Sequence, residues 1–306
     1  MLTLQGVGFP KHRVRIVGSQ LALYLIWGSA YYVIRIGVDF WPPLLLSGIR
    51  FLLAGTVLLV WALWRGQAWP GARELASAAL LGALLMAFSN GCVSWAETRV
   101  STGVTALVLA TDPLFVTLTS GFFGVRTRPR EWLAMGLGFG GIVILNLGAS
   151  FSGSASAAIL LTLTNVAWAL GSVLSKKLPQ ARGVMASAVM MLAAGFELLL
   201  GSALRGEQMT AWPPLSGWLA LFYLAIFGSI IAFNAYLYLL KHVSPSMATS
   251  YAYINPIVAV LLGMWLLGEH VDSAEWWGMA VIVASSVLVI WQPGHTLSND
   301  SVGAEV

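Results

Sequence analysis

The sequence predicts an all-α integral membrane protein of ten transmembrane helices, arranged as two five-helix halves of opposite topology. Three observations carry this expectation. Of 306 residues, 58% are hydrophobic and 9% are charged, whereas a soluble domain carries roughly 25% charge. One aqueous core cannot hide so much apolar surface, so lipid is the expected solvent; mean hydropathy is +0.82. The apolar residues fall in runs of about 20, the length a helix needs to cross a bilayer. A pattern around one Asp-Pro pair also returns later in the chain as Asn-Pro.

The expected spans are 17–38, 44–64, 74–95, 102–123, 132–149, 156–176, 184–204, 216–240, 247–267 and 275–292. The first follows "PKHRVR", which resembles the basic end of a secretory signal. Its apolar run is too long for one, so it reads as a first span. "DFWPP" and "RGQAWPGARE" bound the second span, and "AETRVS" ends the third. "VRTRPRE" and "SFSGSAS" bound the fifth, "KKLPQARG" and "RGEQMTAWPP" the seventh, and "KHVSPS" and "GEHVDSAE" the ninth. Runs of this length satisfy their backbone in lipid as helices.

Charge placement orients the chain. With the N-terminus inside, 12 of the 16 Lys and Arg fall on the inner side, from Lys11 to Lys241. Only Arg35, Arg50, Arg99 and Arg205 fall outside, which is a positive-inside bias. A miscounted span would have exchanged the later loops and blurred the split. Both termini are therefore expected in the cytoplasm, with a tail at 1–16 and a disordered tail at 293–306. The net charge of +4 is dispersed and forms no nucleic-acid patch.

The halves are expected at 17–150 and 151–292. "VSTGVTALVLATDPLFV" (100–116) aligns with "VSPSMATSYAYINPIVA" (243–259), so that Asp112 meets Asn255 and Pro113 meets Pro256. Glu131-Trp132 meets Glu275-Trp276 after a one-residue slip, and Trp27 with Gly28-Ser29 pairs less cleanly with Trp168 and Gly171-Ser172. Five spans per half is odd, so the second half enters from the opposite side. Such inverted repeats belong to carriers that alternate access around a midplane site.

Ten helices in a five-plus-five repeat, "GIRFLLAG" at 48–55 and "NPIVAVLLGMWLLGEHV" at 255–271 together resemble the drug/metabolite transporter superfamily in its EamA branch. The likeness spans almost the whole chain, and within the branch it is greatest to YddG-type aromatic amino-acid exporters. The first half departs from the pattern, because its fourth span leaves through "FFGVRTRP". The resemblance implies a secondary exporter of the bacterial inner membrane.

Polar residues at span depth supply the candidate site. Asp112 lies mid-span, where a charge costs about 2.5–3.5 kcal/mol on insertion scales. It is a candidate for lining a cavity, for carrying protons, or for a structural bond. Its mate Asn255 keeps the polarity without the charge, which favours hydrogen bonding. Pro113 and Pro256 are expected to kink their helices. Glu197 is a second proton-coupling candidate, or a passenger snorkelling to an interface. Arg50 reads as a clamp near the outer end of span two, and Glu269 as a cap or ion-pair partner at the outer rim. Trp27, Tyr31, Trp168, Tyr251 and Tyr253 sit at cavity-compatible depth, where ring faces suit aromatic or cationic solutes. Ser89, Asn90, Asn165, Ser172 and Asn234 could orient a zwitterion, or bond helix to helix. Trp41, Trp69, Trp132, Trp212, Trp276 and Trp277 are assigned to interfacial belts.

The expected function is export of small metabolites, foremost amino acids with aromatic or large apolar side chains, by alternating access. The alternatives are proton-driven export of other amphipathic solutes and, behind it, a membrane-embedded enzyme. No catalytic residues, metal site or cofactor are expected: there is one cysteine, Cys92, no His cluster and no P-loop. The partners are the substrate and the bilayer, not nucleic acid. No lysine lies mid-membrane, which argues against anionic nucleotide-sugar cargo and against a retinal Schiff base. "GLGFGG" follows no strand, so it is packing surface rather than a dinucleotide loop.

Overall fold

Helix termini explain the architecture best. The computed structural model describes residues 11–123, 155–243 and 250–290, with scattered positions between. Among these, every regular element is a helix. Seven are long and apolar enough to cross a membrane: α1 (Arg13–Val38), α2 (Pro43–Trp64), α3 (Ala72–Ala96), α4 (Thr102–Phe122), α5 (Ser156–Leu174), α6 (Val184–Leu204) and α7 (Leu215–His242). Two shorter apolar helices follow, α8 (Tyr251–Leu266) and α9 (Ser273–Ile290). They occupy expected spans one to four and six to ten. The fifth expected span, 132–149, lies mostly outside the described residues, as do the two tails.

Helices α2 and α6 form the central antiparallel pair. Pro43 opens α2 at its first position, where the missing N–H costs nothing. Gly66 closes it at φ 69°, and the amides of Gly66 and Gln67 return to the carbonyls of Leu63 and Ala62. This double bond pattern is a Schellman cap. Helix α6 ends identically: Gly206 has φ 66°, and Gly206 and Glu207 return to Ala203 and Ser202.

The two ends then cross over. Gln67 Oε1 accepts the amide of Met185 at the start of α6, at 3.0 Å. Glu207 accepts the amides of Leu44 and Leu45 at the start of α2, at 3.1–3.3 Å. Glycines let the backbones touch between these caps. A Cβ on Gly55 would lie 2.9 Å from the Leu192 nitrogen, and one on Gly195 would lie 2.9 Å from the Leu52 nitrogen. Lipid is as apolar as a side chain, so close packing of small residues substitutes for hydrophobic drive.

Two apolar clusters bracket the molecule's middle. One gathers Leu23, Phe51, Leu58, Leu85 and Tyr236 toward the face where α1 begins. The other gathers Ile34, Trp41, Leu46, Val104 and Leu221 toward the opposite face. Trp41 corrects the belt assignment. It is only 4% exposed, donates to the Gly217 carbonyl at 3.1 Å and meets Trp218 edge-on. The other five belt tryptophans are exposed.

Candidate functional site

Between the two clusters lies a cavity of about 110 Å³, several times the ~10–15 Å³ that one water needs. Helices α1 to α5, α7 and α8 all contribute to its wall.

Three of these helices widen to π turns beside the cavity: Leu23–Trp27 in α1, Ala83–Phe88 in α3 and Leu224–Phe233 in α7. Such turns recur at functional sites because they displace side chains from the regular helical register. Serine hydroxyls serve the loosened carbonyls. Ser29 donates to Leu25, Ser89 to Leu84 and Ser229 to Leu224, at 2.7, 2.8 and 3.1 Å. The turn in α1 ends on Trp27, whose indole N–H donates to the Gly228 carbonyl inside the turn of α7 at 3.1 Å.

Helix α4 is interrupted rather than bent. Its first segment ends at Leu109, and a second begins at Asp112 with Pro113 in its first turn. Proline is well placed there, since that N–H has no helical acceptor. Asn165 braces the interruption from α5, donating to the Val108 carbonyl at 2.9 Å and the Thr111 hydroxyl at 2.8 Å. Pro256 behaves differently: it lies inside the continuous helix α8. The two prolines therefore share a sequence position but not a local geometry.

Asp112 is 5% exposed. Its Oδ2 accepts the Tyr251 hydroxyl at 3.2 Å, while Oδ1 has no hydrogen-bond partner among the described residues. Asn255, with its amide turned to donate, reaches the carbonyls of Tyr251 and Tyr24 at 3.2 and 3.3 Å.

Three rings, Trp27, Trp168 and Tyr251, line the cavity toward the face where α1 and α8 begin, with Tyr236 packed behind them. Trp27 meets Tyr251 at 4.9 Å, Tyr236 at 5.4 Å and Trp168 at 5.7 Å. Below them Tyr24 and Ser250 share a hydrogen bond of 2.7 Å. On the opposite face Glu269 accepts both the amide and the hydroxyl of Thr102, at 3.1 and 2.6 Å. That caps α4 with a residue that follows α8. Arg35 reaches the Glu97 carbonyl there and pairs with Asp39 at 3.9 Å.

The structure brings together Trp27, Tyr31, Ser89, Asn90, Asp112, Asn165, Trp168, Tyr251 and Asn255 on the cavity wall. Ser172 and Asn234 stand off that wall. Ser172 bonds the Tyr236 hydroxyl at 3.0 Å, and Asn234 accepts from Ser187 at 2.8 Å, so both tie helices together. The side chain of Tyr253 lies outside those described. Glu197 is half-buried on α6, away from the cavity, and its Oε2 has no hydrogen-bond partner among the described residues. No group of three His, Cys, Asp or Glu among the described residues could hold a metal.

Arg50, read from the sequence as a clamp near the outer end of span two, stands on the cavity wall. It is 4% exposed and lines the cavity with Phe51, Thr164 and Phe233. Its Nε donates to Ser229 at 2.7 Å and Nη1 to Asn90 at 3.3 Å. Both partners are neutral. The expected span begins at residue 44, one residue from the observed start, so the depth of Arg50 was read correctly; what depth alone does not give is the helix rotation that turns Arg50 to the cavity. A comparison of the halves at an interval of 140 would have found it. That interval pairs Arg65-Gly66 with Arg205-Gly206 and Ser89 with Ser229, but pairs Arg50 with Met190.

The sequence profile of the EamA-like transporter family matches residues 17–147 and again 155–291. The chain is 51% identical over 275 residues to the uncharacterized inner membrane transporter YedA of Escherichia coli strain K12, covering 90% of each. It is 29% identical to protein PecM of Dickeya dadantii, covering 86% of this chain and 88% of that one. A solved crystal structure superimposes with a TM-score of 0.63 at 24% identity, covering 89% of this chain and 95% of the other. That last likeness speaks to the fold.

Proposed function

The chain belongs to the EamA-like transporter family, and on that premise we propose that it exports small amphipathic metabolites across the bacterial inner membrane. Amino acids with aromatic or large apolar side chains are the favoured cargo. It is a transporter rather than an enzyme.

One observation carries the substrate reading. One mid-protein cavity combines an aromatic floor of Trp27, Trp168 and Tyr251 with a buried carboxylate and amides on its wall. Ring edges and faces suit a planar apolar side chain, and the polar groups suit the ends of an amino acid. PecM and YedA are not named for any cargo, so the substrate rests on this cavity.

The mechanism we favour is alternating access between two inverted five-helix repeats. The reciprocal caps of α2 and α6 support it: end-of-α2 binds start-of-α6, and end-of-α6 binds start-of-α2. A contact of i with j matched by j with i is what a twofold relation generates. The widened turns of α3 and α7 also correspond at that interval. The positive-inside bias supports cytoplasmic termini, and with them an aromatic floor on the cytoplasmic side.

Counterflow into proteoliposomes tests the reading, using labelled phenylalanine, tyrosine, tryptophan and leucine, an amine and a nucleotide sugar. Exchange of the aromatic amino acids is expected. Exchange of the amine or nucleotide sugar alone would overturn the cargo and keep the carrier. Asp112→Asn should keep counterflow while altering its pH profile only if Asp112 carries the proton; an unchanged profile removes it from that role.

A further inference from the structure

We propose that the cavity grips a zwitterion by both ends, with Arg50 binding its carboxylate and Asp112 its ammonium, while its side chain rests on the aromatic floor. The inference rests on the carrier reading above and assigns the two residues that orient the cargo.

A guanidinium stays protonated at any working pH, so Arg50 carries its charge into a site where it is 4% exposed. An uncompensated buried charge is costly, and buried arginines are normally paired. Among the described residues no carboxylate lies within 4.0 Å of it, the only ion pair being Arg35–Asp39. Ser229 and Asn90 occupy two of its donors and supply no negative charge. Arg50 also lies against the Phe51 ring at 4.8 Å, which holds the guanidinium plane without neutralising it. The remaining donors of its fork match a carboxylate in two parallel hydrogen bonds.

Asp112 shows the opposite deficit. Tyr251 satisfies one oxygen, and the other is buried and unpartnered. Both residues line the same cavity, yet they do not form an ion pair with each other. The missing counter-charges are therefore one anion for Arg50 and, with Asp112 ionised, one cation for its free oxygen. An α-amino acid carries both on one α-carbon.

The halves of the chain make the same point independently. Where caps, serines and glycines correspond, the halves agree; at Arg50 the mate is Met190, and at Asp112 it is Asn255. Charge breaks the correspondence at several places, Glu197 against Val57 and Glu207 against Gln67 among them, and the two breaks that line the cavity, Arg50 and Asp112, carry opposite signs. A pseudo-symmetric cavity cannot tell a ligand's head from its tail; these two substitutions let it do so.

The test is competition against labelled phenylalanine counterflow by unlabelled phenylalanine, its methyl ester, phenethylamine and 3-phenylpropionate. Wild-type protein should prefer phenylalanine over each analogue by about tenfold, since one charge-assisted bond is worth roughly that factor. In Arg50→Gln the preference over the ester should collapse to within about twofold while the preference over 3-phenylpropionate persists. Asp112→Asn should show the reverse pattern. Arg50→Lys keeps the charge and should retain much of the preference over the ester, which covers the case in which Arg50→Gln does not fold. If wild-type protein transports phenylalanine but the ester competes equally, the assignment falls and the carrier reading stands. If Arg50→Gln or Arg50→Lys lowers all four ligands equally, Arg50 is structural and the assignment also falls. If no aromatic amino acid is exchanged at all, the cargo reading falls with it.

Discussion

Gln67 and Glu207 exchange roles across the α2–α6 pair. Gln67 takes the Met185 amide at 3.0 Å, and Glu207 takes the Leu44 and Leu45 amides at the other end. Each residue directly follows its own helix's closing glycine and caps the opposite helix. Loss of a side-chain N-cap costs about 0.5–2 kcal/mol. Glu207 serves two amides and also accepts the Ser202 hydroxyl at 2.8 Å. Glu207→Ala should therefore lower the detergent-solubilised melting temperature more than Gln67→Ala does. The reverse order would show that the ends are not what fastens the pair.

The glycines between these caps give a sharper prediction. A methyl on Gly55 or Gly195 would meet backbone nitrogen at 2.9 Å, and backbone cannot turn aside as a side chain can. Gly55→Ala and Gly195→Ala should each cost more than the roughly 1–3 kcal/mol of ordinary overpacking. Gly18 has nothing within 4 Å, and its replacement by Ala should stabilise α1 by about 0.5–1 kcal/mol. Thermal unfolding of the three variants separates the cases; equal shifts would contradict the packing argument.

These pairs also show what the sequence made legible. Span positions follow from apolar runs, because lipid demands length and hydropathy and little else. Asp112 and Pro113 stood out because a charge and an imide are conspicuous in such a run, and their place at a helix interruption follows from proline chemistry. Pro256 shows the limit: the same residue at a corresponding position sits inside an unbroken helix, since neighbours decide whether an interruption is used. Ser172 and Asn234 were assigned to the cavity by depth alone, and helical rotation turned them toward Tyr236 and Ser187. The π turns have no residue signature, yet each one rotates everything beyond it. Arg50 was read by its distance from the span end alone, whereas the direction it faces is set by packing, with Asn90 of α3 and Ser229 of α7 holding its guanidinium at the cavity.

Asn165 joins α5 to the interruption of α4 through Val108 and Thr111. Removing it takes one donor from the Val108 carbonyl and one from the Thr111 hydroxyl, which still bond each other at 2.7 Å, so the cost is that of ordinary lost hydrogen bonds, about 0.5–1.5 kcal/mol each. Asn165→Ala should lower both stability and transport, because the same bonds aim Asp112. Asn165→Asp should be worse than Ala, since a carboxylate would present only acceptors to the Val108 carbonyl. A fully active Asn165→Ala variant would show that the interruption holds itself.

Glu97, just past the end of α3, gives the pH prediction. It is fully buried, and neither carboxylate oxygen meets a donor in hydrogen-bond geometry among the described residues. Burial first, and then repulsion from Glu269, hold its pKa well above the usual carboxylate range, while Arg35 and the Thr105 hydroxyl pull it back. The Thr105 proton already goes to the Ser101 carbonyl at 3.1 Å, so its help is small. The charged groups facing Glu97 are thus Arg35 of α1 and Glu269 beyond α8, with the Tyr31 phenol nearby. A raised folded pKa means the native state binds the proton more tightly than the unfolded chain does. That stability is fully present below the ordinary glutamate pKa. It is lost as pH rises from there through the raised value. Glu97→Gln fixes the neutral form, so the variant should match wild type at low pH and exceed it in melting temperature above the ordinary carboxylate range. A gap that shrinks as pH rises would reverse the sign and remove burial as the controlling cause.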